Sequence, residues 1–153
     1  MGVLRAGLIG EHISRTRLSF ALEIMCALHG LTLEFELIDT AHLPGFAFDK
    51  TVDDLRAKGW TGVTVTHPFK TDAAQYAGMG MLPELRDLGA SNTLIFGDTL
   101  TAHNTDYTGF RAAFAAFGIG AVGDVVMIGA GGVARAIGPA MAKVMTARAT
   151  LSL

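Results

Sequence analysis

The sequence predicts an α/β fold with a mixed, mainly parallel sheet. Between residues 3 and 67, runs with strand-like alternation take turns with runs that carry apolar residues at helical spacing. Strands that are separated by helices favour parallel pairing, because a helix provides the crossover that parallel strands require. The stretch 91–106 instead indicates a hairpin that turns at Gly97-Asp98 and adds antiparallel strands.

The predicted elements follow in a regular order from the N-terminus. A β-rich run at 3–10 closes with glycine, and the helical pattern at 18–30 ends at Gly30, a common helix terminator. The next strands are 31–39, where apolar and polar residues alternate, and GVTVTH at 62–67. Strand, helix and strand therefore recur, as in a parallel sheet.

Three more helices are predicted around these strands. One covers 51–60 with Thr51 as its N-cap, a second covers 81–89, and an amphipathic helix covers 107–118. The glycine-rich run GIGAVG then predicts a boundary between a domain at 1–118 and a second unit at 119–153.

The composition limits the class of protein. Half of the 153 residues are hydrophobic, 17% are charged and the net charge is −2, so the chain is expected to be globular and without a nucleic-acid surface. Cys26 is the only cysteine, which excludes an internal disulfide and fits a reducing cytoplasm. No apolar run is long enough for a membrane span, so we expect a cytoplasmic protein.

The glycine loop after DVVMI is the strongest local signal for a ligand. A hydrophobic strand at 124–128 leads into a G-x-G-x-x-A turn and a small-residue helix, the order typical of a Rossmann-type domain. Backbone N–H groups at such a turn bind a pyrophosphate, although a tight turn without a ligand has the same pattern. The residues predicted to hold the dinucleotide are Gly129, Ala130, Gly131, Gly132 and Val133.

The segment RATLSL at 148–153 predicts a second strand of this unit. Two strands and one helix cannot close a doubly wound sheet, so we expect a fragment of a longer enzyme or completion by another chain. An unpaired apolar strand edge predicts either self-association through the segment 124–153 or poor order there.

Five collinear motifs resemble the shikimate dehydrogenase family, including its quinate-using members. In chain order they are GLIGEHISRT, GVTVTHPFK, LGASNTL, HNTDYTGF and IGAGGVARA. The resemblance covers nearly the whole chain and implies a substrate domain followed by the start of an NADP domain. It also implies an oxidoreductase of aromatic amino acid biosynthesis that interconverts 3-dehydroshikimate and shikimate, or a related polyol, with NADP or NAD.

The resemblance assigns catalytic roles to Lys70 and Asp106. Reduction of a ketone requires a proton for its oxygen, and a lysine beside a carboxylate can supply one and take it back in reverse. The sequence leaves open whether Lys70 transfers a proton or only donates a hydrogen bond. Without the resemblance, Lys70 would read as a surface cation and Asp106 as a helix N-cap.

The resemblance implies that Thr66 and Asn92 contact the substrate. Thr64 stands where the family usually has asparagine. The residues that would bind the carboxylate group of the substrate depart from the family pattern. In the family, two hydroxyl-bearing residues after the first strand hold the carboxylate of the substrate. Their positions correspond to Ser14 and Thr16 if the alignment has a two-residue gap, or to Thr16 and Leu18 if it has none. We favour the ungapped register because it keeps the following helix in step. It loses one hydrogen-bond donor, which Arg15 or Arg17 could replace.

No metal site is predicted, because the histidines lack partners at metal-ligand spacing.

Two functions are consistent with the sequence. The leading one is an NADP-dependent polyol dehydrogenase. The alternative is a non-catalytic protein that binds a cyclic polyol carboxylate.

Overall fold

The computed structural model describes residues 2–117, 126–129 and 131–149. Within these ranges the chain alternates strands and helices, as the sequence predicts. In chain order the elements are β1 (Gly2–Gly10), α1 (Leu18–Leu28), β2 (Leu31–Asp39), α2 (Phe48–Ala57), β3 (Gly62–Val65), α3 (Lys70–Ala77), 3₁₀ turns at Gly78–Gly80 and Pro83–Leu88, β4 (Thr93–Phe96), β5 (Leu100–His103), α4 (Thr105–Ala116) and α5 (Gly132–Ala149).

The described strands form one mixed sheet in the order β2-β1-β3-β4-β5. β1 pairs in parallel with β2 along its whole length and with β3 from Ala6 to Ile9. β4 and β5 add the predicted antiparallel hairpin, which joins the sheet through β3. The predicted mixed sheet is therefore confirmed, with β3 at its centre between β1 and β4.

The two faces of the sheet have different tasks. Side chains alternate along a strand, so Ile9, Val63 and Val65 enter the main core, where α2 contributes Val52 and Leu55. Their chain neighbours Leu8, Thr64 and Thr66 line a cleft, which Val65 also borders at the end of β3. The structural core and the cleft therefore share the same two strands.

The N-terminus of α2 differs from the prediction. The helix begins at Phe48 with Ala47 at its N-cap, and the Thr51 hydroxyl donates a hydrogen bond to the Ala47 carbonyl at 2.9 Å. Phe48 is buried and stacks on Phe69 with 5.7 Å between ring centroids. Burial of this ring extends the helix beyond the local capping signal, so the assignment of Thr51 as N-cap was wrong.

The predicted helix at 81–89 is a 3₁₀ turn over Pro83–Leu88. Leu85 and Leu88 are both buried, and Gly89 follows with φ +56°. The two leucines anchor the segment in the core, and Gly89 ends it after six residues. The segment is therefore too short for a regular α-helix.

Helix α5 packs along α4, and its Ala136 and Ala140 are fully buried in the same hydrophobic core as the sheet. Residues 126–129 lie in no strand, and α5 continues through Arg148 to Ala149 where a second strand was expected. The predicted boundary at 118–123 lies outside the described residues. No described helix, α5 included, combines the length and apolarity needed to span a membrane.

We expect opposite effects from alanine at two glycines. At Gly62 in β3 a Cβ would lie 2.5 Å from the Leu94 carbonyl oxygen, whereas at Gly109 in α4 it would meet nothing within 4 Å. Gly62→Ala should lower the free energy of unfolding by about 1–3 kcal/mol. Gly109→Ala should raise it by up to about 1 kcal/mol. Urea denaturation measures both, and equal losses for the two variants would contradict this account of the sheet.

Candidate active site

A cleft of 420 Å³ opens at the carboxyl ends of β1 and β3. Ligand sites in α/β proteins lie beyond the ends of parallel strands, because the connecting loops gather there. The residues that line the cleft are Leu8, His12, Ile13, Thr16, Leu18, Thr64, Val65, Thr66, Lys70, Asn92 and Asp106.

Lys70 and Asp106 meet at one wall of this cleft although 36 positions separate them. The Lys70 Nζ donates to Asp106 Oδ2 at 2.6 Å, and the two side chains are 13% and 30% exposed. Lys70 is the first residue of α3, where the helix dipole disfavours a cation, while Asp106 lies in the first turn of α4. The expected contact between Lys70 and Asp106 is present. The Asp106 carboxylate stabilises the lysine charge, which the N-terminus of α3 destabilises.

Asn104, not Asp106, caps α4. Its buried side chain accepts a hydrogen bond from the Tyr107 N–H at 3.2 Å and donates to the Ala90 carbonyl at 2.9 Å. The sequence suggested Asp106 as one reading of the N-cap. Because Asn104 satisfies the first-turn donor, the Asp106 carboxylate is available to Lys70.

Ser91 joins the two ends of the ion pair through the backbone. Its N–H donates to the Lys70 carbonyl at 2.8 Å, and its hydroxyl donates to the His103 carbonyl at 2.8 Å. The residue is fully buried, so both bonds are shielded from water. Ser91 thereby fixes the start of α3 relative to the hairpin end that leads into α4.

Asn92 lines the cleft, but its amide is largely engaged inside the protein. Its Oδ1 accepts from the Thr105 N–H at 2.9 Å and from the Thr93 hydroxyl at 3.0 Å, and its Nδ2 donates to the Thr105 hydroxyl at 2.8 Å. An amide nitrogen has two hydrogens, so one donor remains for a ligand. Asn92 is therefore first a structural link to α4.

The structure places Thr16 and Leu18 together at the cleft, as the ungapped register requires. Ser14 is exposed and lies outside the cleft lining, as do Arg15 and Arg17. The Thr16 Oγ1 accepts the Leu18 N–H at 3.2 Å, which leaves the hydroxyl hydrogen of Thr16 free to donate. The predicted contribution of Ser14 is thus not supported by its position.

Asp39, which the sequence analysis missed, holds the loop that follows β1. Its carboxylate accepts the N–H groups of Ala41, Ile13 and His12 at 3.0–3.1 Å. These bonds, that from Ala41 foremost, lower the pKa of Asp39, because each one favours the charged form. An aspartate at the end of β2, beside the end of β1, was the available sequence signal.

A second cavity of 680 Å³ separates the His67-Pro68 segment from the glycine loop. Thr66 and Lys70 line this cavity as well as the cleft, so the ion pair lies at the wall between them. Gly129 has φ +117°, a backbone conformation open only to glycine, and added Cβ atoms at Gly129 or Gly131 would meet nothing within 4 Å.

This loop suits a phosphate-bearing ligand. Helix α5 begins at Gly132, so its first N–H groups are without intrahelical partners, and Arg135 adds a cation to the same cavity wall. Val133 also lines the cavity, while Ala130 lies outside the described residues. No group of three or more metal-ligating side chains occurs in the part of the chain that the structure describes.

The sequence model described as the shikimate dehydrogenase substrate binding domain matches residues 8–94. The chain belongs to this family. It is 34% identical to the quinate/shikimate dehydrogenase (NAD(+)) of Corynebacterium efficiens, covering 86% of this chain and 48% of that protein. It is 38% identical to the shikimate dehydrogenase (NADP(+)) of Acidiphilium cryptum, covering 89% and 49%.

Solved structures agree with this membership. Quinate dehydrogenase from Corynebacterium glutamicum in complex with NAD superposes with a TM-score of 0.83 at 26% identity, covering 94% of this chain and 52% of that one. Shikimate 5-dehydrogenase from Thermus thermophilus in complex with NADP(H) and shikimate gives 0.80 at 29% identity, covering 92% and 52%. The chain thus spans about half the length of the shikimate dehydrogenases that it matches.

We expect the cleft loop of this shikimate dehydrogenase family member to loosen in acid. The folded-state pKa of Asp39 is depressed, so its stabilising contribution is complete above the unfolded pKa and is lost as the pH falls through the folded pKa, below about pH 4. Amide exchange of His12 and Ile13 measured against pH should show this loss. Asp39→Asn should flatten the dependence, and an unchanged acid profile in that variant would exclude Asp39 as its cause.

Asn104→Ala should destabilise the fold by about 2 kcal/mol, because it removes a cap and leaves two buried backbone groups unpaired. Asn104→Ser is the matched control, since its hydroxyl is a neutral cap acceptor for the Tyr107 N–H while the amide donor to Ala90 is lost. An intermediate loss is expected for the control. Urea denaturation gives all three values, and a wild-type midpoint for Asn104→Ala would refute the role of this residue.

Proposed function

We propose that this chain is the substrate-binding part of an NAD(P)-dependent oxidoreductase. The reaction interconverts 3-dehydroshikimate and shikimate, or a related cyclic polyol such as quinate. One observation carries the proposal: the Lys70–Asp106 pair, with 2.6 Å between Nζ and Oδ2, lies at the wall shared by the polar cleft and the cavity at the glycine loop.

The pair has the chemistry that such a reaction needs. Lys70 lines both spaces, so its ammonium can donate a proton to the oxygen of a ketone in the cleft and recover it in the reverse direction. Asp106 holds the ammonium in one orientation and balances its charge. A nicotinamide cofactor, when bound, supplies or accepts the hydride.

The hydroxyl groups of Thr16, Thr64 and Thr66 suit a polyol. Each lines the cleft and has a hydroxyl hydrogen that can donate to a ring hydroxyl of the ligand. Asn92 adds its one remaining amide hydrogen. A site with several fixed hydrogen-bonding groups discriminates strongly between ligands with and without hydroxyls.

The proposed cofactor is NADP, with NAD as the alternative. Residues 119–153 would begin the dinucleotide-binding domain after a substrate domain at 1–118, with the loop Gly129–Val133 at the pyrophosphate. The relatives support both cofactors, since one is a quinate/shikimate dehydrogenase (NAD(+)) and others are shikimate dehydrogenases (NADP(+)). We further propose that the enzyme is cytoplasmic and belongs to aromatic amino acid biosynthesis. Self-association of the chain would use the segment 124–153.

A non-catalytic polyol carboxylate binding protein is the second candidate. The cleft is formed entirely by residues between Leu8 and Asp106, so a polyol can bind without any contact to the glycine loop. Calorimetric titration with shikimate, quinate, NADP and NAD separates the two candidates. Binding of both a polyol and a dinucleotide supports the dehydrogenase, polyol binding alone supports the second candidate, and binding of neither refutes both.

Lys70→Ala should lower turnover by about two to four orders of magnitude while changing KM less, because it removes a proton-transfer group. The assay requires a protein that joins this chain to a complete dinucleotide-binding domain. Lys50→Ala is the matched control, since Lys50 is 73% exposed, forms an ion pair with Asp54 and lines neither cavity. Turnover that matches the wild type in Lys70→Ala would end the assignment of this lysine.

A further inference from the structure

We propose that His12 binds the carboxylate group of the polyol ligand. This inference rests on the proposed function and adds to it the residue that recognises the anionic end of the substrate. Four observations support it: the charges in the cleft, the backbone at His12, its imidazole, and the apolar residue Leu18.

The charges in the cleft leave one candidate cation. Lys70 lies 2.6 Å from Asp106, so the pair has no net charge to offer an anion. The other residues lining the cleft are threonines, an asparagine and aliphatic residues, apart from His12. Among these described lining residues, His12 is therefore the only other side chain that can carry a positive charge.

The backbone holds His12 in a conformation that most residues avoid. Its φ of +55° is the only positive value at a non-glycine residue in the described ranges. The Asp39 carboxylate maintains this turn by accepting the N–H groups of His12 and Ile13. Residues in such conformations are concentrated at functional sites, where the surrounding structure enforces them.

The imidazole of His12 has no hydrogen-bond partner among the described residues, and its one charged neighbour is the Asp39 carboxylate, which interacts with it only through space and already accepts three backbone N–H groups. The nearest ring is that of His42, edge-on with 6.4 Å between centroids. An imidazole has at least one N–H donor in either protonation state, and two when it is charged. A carboxylate at the cleft can therefore accept a hydrogen bond from it.

Leu18 makes this donor necessary. It lines the cleft two residues after Thr16 but has no polar side-chain atom. Among the lining residues from the segment 12–18, Thr16 alone has a hydroxyl, whereas a carboxylate has two oxygens that both need partners in a partly enclosed site. His12 can provide the second partner, with one oxygen bound by Thr16 and the other by the imidazole N–H.

The test compares a carboxylate ligand with its uncharged carboxamide. The dissociation constants of shikimate and of shikimate carboxamide, and likewise of the quinate pair, are measured by calorimetry on the 153-residue chain. His12→Gly removes the imidazole and suits the positive φ, so it should fold. It should weaken carboxylate binding about 10-fold to 100-fold, the range of one charge-assisted hydrogen bond, while carboxamide binding changes less than about 3-fold.

Two variants complete the design. His12→Asn also tolerates positive φ and keeps an N–H donor, so it should recover part of the lost carboxylate affinity. His42→Gln removes the neighbouring imidazole, which does not line the cleft, and should leave both constants unchanged.

The outcomes separate this inference from the proposed function. Equal weakening of carboxylate and carboxamide, or no weakening, in His12→Gly overturns the role of His12 while polyol binding stands. A loss in His42→Gln as large as that in His12→Gly also overturns it. If the wild-type chain binds neither polyol, the proposed function fails and this inference fails with it.

Discussion

The ion pair between Lys70 and Asp106 depends on a buried polar junction where three chain segments meet. Ser91 binds the Lys70 carbonyl and the His103 carbonyl, while Asn104 binds the Ala90 carbonyl and caps the helix that carries Asp106. Buried polar groups that lose a partner are costly, so these bonds fix the two helix starts relative to one another. The position of both charges follows from this junction.

The same junction explains how a lysine can follow the buried strand β3 at the start of α3. After β3 the chain enters α3 at Lys70, where the helix dipole opposes a positive charge. Asp106 removes that disadvantage, and the partial burial of both side chains strengthens their attraction. The pair lies at the wall between the two cavities, the position on which its proposed role in catalysis rests.

The other end of the cleft is organised by Asp39. This residue is the last of β2, paired with Gly10 at the end of β1, and it fixes the turn through His12 and Ile13. The cleft is therefore held at each end by a carboxylate with a different task. Asp106 balances a cation, whereas Asp39 binds backbone N–H groups and sets the positions of the side chains at the rim.

The sequence by itself determined the order of strands and helices, the hairpin at Gly97-Asp98, and the family through its five motifs, because periodicity and turn residues act locally. Only the tertiary structure decided which residue caps each helix, which hydroxyls reach the cleft, and that the amide of Asn92 is largely occupied. These outcomes depend on contacts between residues far apart in the chain. Phe48 extends α2 because its ring stacks on Phe69, a residue 21 positions later. Ala136 and Ala140 pack α5 into the core of the sheet. Neither contact can be read from the sequence around these residues.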